Sequence, residues 1–354
     1  MVKYLATEVR WQDRRFSVPL ERIVRSEEWG YDAVFSAEGH GSDALTPLAF
    51  IAGHTRRLKL GTRIIQVTAR PPAIAARALM TLDHMAGGGR VIAGLGSASA
   101  FSAATQSGQP WGSPTVRMRD YVAILRQAFA GQPLDHHGSE LSVPYRGEGV
   151  EFPPQAVDLD PIAAIPIIVA ASGPAITTLA AEVADGWMPS FFSPGVLRTL
   201  QPLLDAGFQR AGDATKRERF EIWGHVDMLV DDDVRAAMRP FKEYAVQWSA
   251  MQRPFMEARG YTDLADRLSE LVAAGRTEEA VAAVPDEYVD DGWLVGPVNR
   301  IRERARPWLE SELTGLIVRY GPQVGSDRSG AVENLGAFGA IAEAAGRVPP
   351  GTGT

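Results

Sequence analysis

Residues 165–187 read IPIIVAASGPAITTLAAEVADGW, and this stretch decides the fold. Ile165 to Ala171 is an almost wholly apolar run. Such a run marks a strand covered by helices on both faces, as in a parallel sheet. Ser172-Gly173-Pro174 is a small turn, with proline at the start of a helix where its missing N–H does no harm. Pro174 to Ala184 has helical spacing, and a further β-rich run extends from Gly186 to Phe192. The unit is strand, tight turn, helix, strand.

Outward from this unit the rhythm repeats. Upstream, Lys3–Val9, Ala33–Ser36, Leu58–Gln66 and Arg90–Leu95 read as strands. Between them lie helical stretches: Pro19–Trp29, stopped by Gly30; Ala44–Ala52, capped by Asp43; Pro72–Met85, ended by Gly87, Gly88 and Gly89; and Thr115–Ala130. Downstream come a helix at Val196–Ala211, a strand at Phe220–Val230, helices over roughly 233–311, a strand at Gly315–Tyr320 and a last helix near Glu333–Ala345. Eight strand–helix units predict an α/β protein, a closed (β/α)8 TIM barrel with insertions. A doubly wound open sheet is the second choice. The expected organisation is one unit over 1–346, with a Pro/Gly-rich excursion at about 131–164 and a helical one at about 240–297. The tail, 347–354, is expected to be disordered.

Composition narrows the function. The chain has 354 residues, 45% hydrophobic and 22% charged, with 36 basic against 43 acidic residues and no basic block. Nucleic acid is therefore not an expected partner. There is no cysteine. That excludes disulfides, thiolate nucleophiles and cysteine-ligated zinc, and leaves any redox role to a bound cofactor. No apolar run reaches the ~18 residues of a membrane span, and the N-terminus lacks the apolar core of a signal peptide. A cytoplasmic protein is expected.

In a barrel the chemistry sits at the C-terminal ends of the strands. Five such ends carry candidates, that of the third strand being Gln66 to Arg70. Glu38 and His40 follow the second strand, and His40 is a candidate general acid or hydrogen-bond donor; a surface loop is the plain alternative. Ser172, Gly173 and Ala175 offer backbone N–H groups at a helix N-terminus, a seat for phosphate or a simple tight turn. Gly94 to Ser99 (GLGSAS) is a weak dinucleotide match, because the third glycine and a following helix are missing. Strand seven carries Trp223 and His225. His136 and His137 sit in the first excursion without a further ligand at useful spacing, so no metal site is expected. His54 and His84 suit helix ends, and Asp231 to Asp233 suits a helix cap.

The ordered series AEGHGSDALTPLAF (37–50), LKLGTRIIQVTARPP (58–72), ALMTLDHMAGGGRVIAGLG (78–96), RMRDYVAILRQAF (117–129), IPIIVAASGP (165–174), LAAEVADGW (179–187) and AAVPDEYVDDGWLVGPVNRIRER (282–304) resembles the luciferase-like hydride-transfer superfamily, and within it the branch that uses the deazaflavin coenzyme F420. The resemblance implies a (β/α)8 barrel with an insertion, and coenzyme across its C-terminal mouth. It places the phosphate at Ser172, Gly173, Pro174 and Ala175, makes Ala171 and Arg63 cofactor-binding as well, and puts a non-proline cis peptide at Arg63–Ile64. The ring would rest on Ile64, Ile65 and Gln66, with Glu38 and His40 as catalytic residues at its edge. Ser97 and Ser99, on the wall after strand four, are cofactor-binding candidates too. There Ser99 takes the place of a carboxylate used as acid in some relatives, and no carboxylate occurs between Asp83 and Asp120. The expected activity is hydride transfer from reduced F420 to a C=C, C=N or C=O group of a small-molecule or modified-peptide substrate, in a homodimer. The alternatives are an FMN-dependent luciferase-like monooxygenase and a non-catalytic cofactor-binding protein.

Overall fold

The computed structural model describes residues 1–10, 16–39, 41–149, 151–321 and 334–347. Eight strands form the barrel: β1 (Tyr4–Val9), β2 (Ala33–Ser36), β3 (Lys59–Thr62), β4 (Val91–Gly96), β5 (Ile167–Ala171), β6 (Gly186–Pro189), β7 (Glu221–Leu229) and β8 (Gly315–Tyr320). Each pairs in parallel with the next in chain order. β8 then returns to β1, with Tyr4 opposite Gly315 and Thr7 opposite Val318. That last pairing closes the ring and excludes the open sheet.

The period-two alternation of a strand sorts side chains into two layers. Along β1, Leu5 and Val9 face the helices, while Ala6 faces the barrel interior. Ala6, Phe35, Ile92, Ile168, Met188, Trp223 and Ile317 fill that interior. The larger core lies between barrel and helices and includes Leu48, Leu79, Ile124, Leu179 and Phe338.

Helices begin where the sequence predicts. The Asp43 carboxylate accepts from the N–H groups of Leu45 and Thr46 at 2.8 and 2.9 Å. Asp233 likewise accepts from Arg235 and Ala236. The segment TLDHMAGGGR is a structural device at the opposite end of the barrel from the strand C-termini. Gly87, Gly88 and Gly89 all have positive φ (86°, 89° and 75°), which suits glycine alone without strain. The Asp83 carboxylate takes the N–H groups of Gly89, Arg90 and Val91 as the chain turns into β4.

Two local features differ from the residue-by-residue reading. The third strand is not continuous from Leu58 to Gln66: β3 stops at Thr62, and a two-residue strand, Ile65–Gln66, resumes against Leu95 and Gly96. The Arg63–Ile64 peptide between them is cis. A helix does follow GLGSAS, spanning Ala100–Thr105, because the Ser99 hydroxyl caps it by accepting from the N–H of Ser102. The first excursion carries a short hairpin, His136–His137 against Ser142–Val143, held by Asp120, which His136 meets at 3.0 Å. The second excursion consists of helices from Val234 to Gly292 with a core of their own around Phe241, Met256, Leu268, Tyr288 and Trp293. Most of the expected tail lies outside the described residues.

Candidate active site

The bulge between β3 and Ile65–Gln66 is built by side chains from neighbouring strands. Glu38, just past β2, accepts from the N–H of Gln66 at 2.9 Å and from Arg70 Nε at 2.9 Å. The Glu38 N–H in turn donates to the Ile64 carbonyl at 3.3 Å. Both carboxylate oxygens are therefore engaged, and Glu38 holds the bulge in place. Ile64 stays half-buried at the surface of the mouth, whereas Ile65 is fully buried among the helix-facing core. The side chain of Ile65 is therefore not available to a ring, contrary to expectation. Gly96 sits behind Ile64: a Cβ there would come within 2.6 Å of Ile64 Cγ1.

Arg63 also departs from expectation. Its side chain turns into the barrel rather than toward a cofactor, and joins a buried network at the tops of β1, β7 and β8. Arg63 Nη1 donates to Glu8 Oε2 at 2.8 Å, and Arg63 Nη2 to His225 Nδ1 at 2.7 Å. Arg319 makes a bidentate pair with Asp227 at 2.8 and 2.6 Å. Arg10 reaches Asp227 at 3.3 Å and the carbonyls of Tyr320 and Gly321 at 3.1 and 2.9 Å. Three guanidiniums thus face two carboxylates, leaving one positive charge in excess. Sequence reasoning missed this network. Its signal is alternation: Ala6-x-Glu8-x-Arg10, Trp223-x-His225-x-Asp227 and Ile317-x-Arg319 all turn from apolar to charged on the inward register.

A guanidinium only donates, so His225 Nδ1 must be unprotonated and Nε2 carries the hydrogen. Burial and the charges of Arg319, Arg63 and Arg10 hold the imidazole pKa well below its ordinary value near 6.5. The same burial, with Asp227 nearby, pushes the Tyr244 phenol up. The His225 shift has a consequence for stability. As pH falls through about 6.5 the unfolded chain takes up this proton and the folded chain does not. The contribution is fully present above that pH and is lost below it. Thermal unfolding of the wild type is expected to shift to lower temperature between pH 7 and pH 5.5. In His225→Gln, whose amide oxygen still accepts from Arg63, that part of the slope should vanish; equal slopes would refute it.

The turn after β5 is open. Ser172, Gly173, Pro174 and Ala175 are all exposed, at the N-terminus of the helix Pro174–Val183. A Cβ on Gly173 would meet nothing within 4 Å. Ala171, by contrast, is buried, and its carbonyl accepts from Trp187 Nε1 at 3.0 Å, so its side chain is not part of that surface. After β4, the hydroxyl of Ser99 is occupied in its cap, and the carbonyl of Ser97 accepts from Trp111 Nε1 at 3.2 Å. Between them Ala98 has φ 58°. For a residue with a side chain this left-handed conformation is uncommon and costly. It marks the wall as a shaped feature. His40 lies outside the described residues.

The parts at the mouth are thus a half-exposed apolar bulge, an open helix N-terminus and a net positive charge. A sequence model described as luciferase-like monooxygenase matches residues 10–314. A Mycobacterium tuberculosis protein named as a coenzyme F420-dependent oxidoreductase is 37% identical over 315 residues, 85% of this chain and 90% of that protein. The 5,10-methylenetetrahydromethanopterin reductase of Archaeoglobus fulgidus is 26% identical over 325 residues, 90% of this chain and 93% of that one. In three dimensions, the coenzyme F420 dependent tetrahydromethanopterin reductase of Methanopyrus kandleri superposes with a TM-score of 0.72 at 18% identity, covering 97% of this chain and 98% of that one. With the closed barrel and the interrupted third strand in place, the match over most of its length shows that this chain belongs to the luciferase-like monooxygenase family.

Proposed function

We propose that the protein is a coenzyme F420-dependent oxidoreductase that moves hydride between the deazaflavin and a C=C, C=N or C=O bond of a small-molecule or modified-peptide substrate. One observation carries the reading: the half-exposed bulge at Ile64 and the exposed turn Ser172–Ala175 lie at the same end of one barrel. The first offers a flat, partly apolar seat for a ring. The second offers first-turn N–H groups, which have no partner inside their helix, to a phosphate. The names of the similar sequences favour the deazaflavin over FMN.

When bound, the coenzyme supplies a hydride donor. The chain's own residues do the rest. Glu38 and Arg70 fix the bulge, and with it the height of the seat. The excess guanidinium charge of the Arg10, Arg63 and Arg319 network favours an anionic ring above it. The barrel wall and the excursion helices exclude water, and orientation of two reacting atoms in such a site lowers the barrier.

The test is a titration of the protein with F420 and with FMN, followed by coenzyme fluorescence. Micromolar or tighter binding of F420, with FMN much weaker, is expected. Gly173→Asp sharpens the test. Gly173 has φ −85° and ψ 153° at the N-cap, where aspartate is favoured, so the variant should be at least as stable as the wild type. Its carboxylate would repel a phosphate, and F420 affinity should fall at least about tenfold, roughly 1.4 kcal/mol. Binding of FMN alone would overturn the reading in favour of a monooxygenase. Binding of neither would favour a non-catalytic role.

A further inference from the structure

We infer that the groove between the helices Pro114–Phe129 and Pro174–Val183 is an extension of the coenzyme site, and that it holds the chain of carboxylates that continues beyond the phosphate of F420. This rests on the oxidoreductase reading and deepens it by assigning residues outside the mouth to a further part of the coenzyme.

The groove has a volume of about 440 Å³ and includes Pro174 and Ala175, the first turn to which the phosphate is assigned. Thr178, Leu179 and Glu182 continue the same line, since residues three and four apart share a helix face. From Ala175 to Glu182 that face runs about 10 Å, at the helical rise of ~1.5 Å per residue. The facing side is the start of the helix Pro114–Phe129, with Thr115, Val116 and Arg119. A phosphate held at the turn therefore has this groove as its adjoining surface.

Charge separates this groove from an ordinary gap between helices. Its lining carries two arginines against one acid. Arg119 Nη1 and Nη2 each donate to one oxygen of Glu182 at 2.7 Å. Arg210, in the last turn of the helix Leu197–Ala211, is exposed and makes no hydrogen bond or ion pair with the described residues. Lys216 adds a third cation behind the groove, where its ammonium donates to the Glu182 carbonyl. The hydrogen bonds from Arg119, with the charges of Arg210 and Lys216, hold the Glu182 pKa below its ordinary value. The neighbouring acids are engaged elsewhere: Asp185 pairs with Arg126 at 2.7 Å, and Asp120 accepts from the N–H groups of Glu140 and Leu141 and meets His136 at 3.0 Å. The chain as a whole carries a formal charge of −7, so the positive surplus is local.

An unpaired guanidinium at the far end of a groove that starts at a phosphate seat selects an anion attached to that phosphate. F420 carries such a group: beyond its phosphate come a lactyl unit and a run of linked glutamates, with a free carboxylate on each. The chain matches the groove in charge and in its point of attachment. Arg210 meets a carboxylate without giving up a partner, whereas Arg119 is already held by Glu182 and sets the potential around it. FMN ends at its phosphate and leaves the groove unused. The groove therefore adds to the affinity for the deazaflavin alone, and Arg210 is a specificity-determining residue between the two coenzymes. An exposed ion pair contributes up to about fivefold in affinity, so the effect comes from several carboxylates near several cations rather than from one contact.

The probes are F420 with a long glutamate chain and a short form that keeps the phosphate and lactyl unit but lacks every glutamate, each titrated into the full-length protein by fluorescence. The long form should bind at least about tenfold more tightly. That advantage should shrink as salt rises from about 0.01 M to about 1 M, where the screening length falls from about 30 to about 3 Å. Arg210→Glu should weaken the long form about tenfold and leave the short form within about twofold. Arg210 is exposed and unpartnered, so this variant keeps its fold. Glu182→Gln moves the charge the other way and should tighten the long form by up to about fivefold. Equal affinity of the two forms for the wild type, equal loss of both in Arg210→Glu, or weaker binding of the long form to Glu182→Gln would overturn this inference alone. Failure of both forms to bind the wild type would overturn the oxidoreductase reading as well.

Discussion

Adding one methyl group at Gly94 will destabilise the barrel by at least about 3 kcal/mol, at the upper end of what overpacking costs. A Cβ built on Gly94 stands 1.8 Å from the carbonyl oxygen of Thr62 and 3.0 Å from its carbonyl carbon. The obstacle is backbone, so no side-chain rotation relieves it. Nor can Thr62 retreat cheaply. Its hydroxyl donates to the Gly94 carbonyl and accepts from the Gly94 N–H, both at 2.8 Å, a side-chain clasp in place of a ladder step just before the bulge. In Gly94→Ala the strands β3 and β4 must part, the clasp must break and the Ile64 seat must move. Urea unfolding should show a much lower midpoint, with F420 affinity reduced in whatever protein remains folded. Gly173→Ala is the matched control, since its Cβ meets open space, and it should fall within about 0.5 kcal/mol of the wild type. A Gly94→Ala protein as stable as that control would mean that β3 and β4 are not this close.

Much of the scaffold was legible because its signals are local. The apolar run Ile165–Ala171, the capping Asp43 and the glycine stop after Met85 each act within a few residues, and all eight barrel strands fall where those signals put them. The interruption at Arg63–Ile64 is different. LKLGTRIIQ alternates like one continuous strand, and nothing in those residues alone says that the chain breaks there; only the family resemblance marked the bond. The short helix at Ala100–Thr105 rests on Ser99-x-x-Ser102, a local cap whose signal competes with the reading of Ser99 as part of the site wall.

The candidate site was half legible for a related reason. The turn Ser172–Ala175 announces itself by composition. The charged network does not, because Glu8 with Arg63, Asp227 with Arg319, and Arg10 with Asp227 find one another across 55, 92 and 217 positions and only after the ring closes. A polar residue near a strand end reads equally well as solvent-facing. Inward register, fixed by Ala6, Trp223 and Ile317 below, is what separates the two cases.

That network also supports the second large effect. Asp227→Asn is expected to cost about 3 to 5 kcal/mol, the range for breaking a buried ion pair on one side. The Asp227 and Arg319 side chains are 2% and 8% exposed, and Arg10, which shares the carboxylate, is 9% exposed. An asparagine keeps one acceptor oxygen and loses the charge, which leaves two guanidiniums buried against a neutral amide. Moving solvent in to hydrate them would open the tops of β7 and β8. Replacing both partners separates this cost from the worth of the pair. Asp227→Leu with Arg319→Leu removes one of those two guanidiniums, Arg10 keeps the carbonyls of Tyr320 and Gly321 and Glu8 at 3.9 Å, and apolar replacements of buried pairs are often close to neutral. The double variant should therefore recover more than half of the loss seen in Asp227→Asn, a coupling that unfolding free energies read directly. Additive losses would show that Asp227 and Arg319 act independently. Recovery of stability without recovery of turnover would assign the network to the chemistry: its charge would be retained for the proposed coenzyme and for the neutral His225 beside it, at a cost in stability that an apolar barrel would not carry.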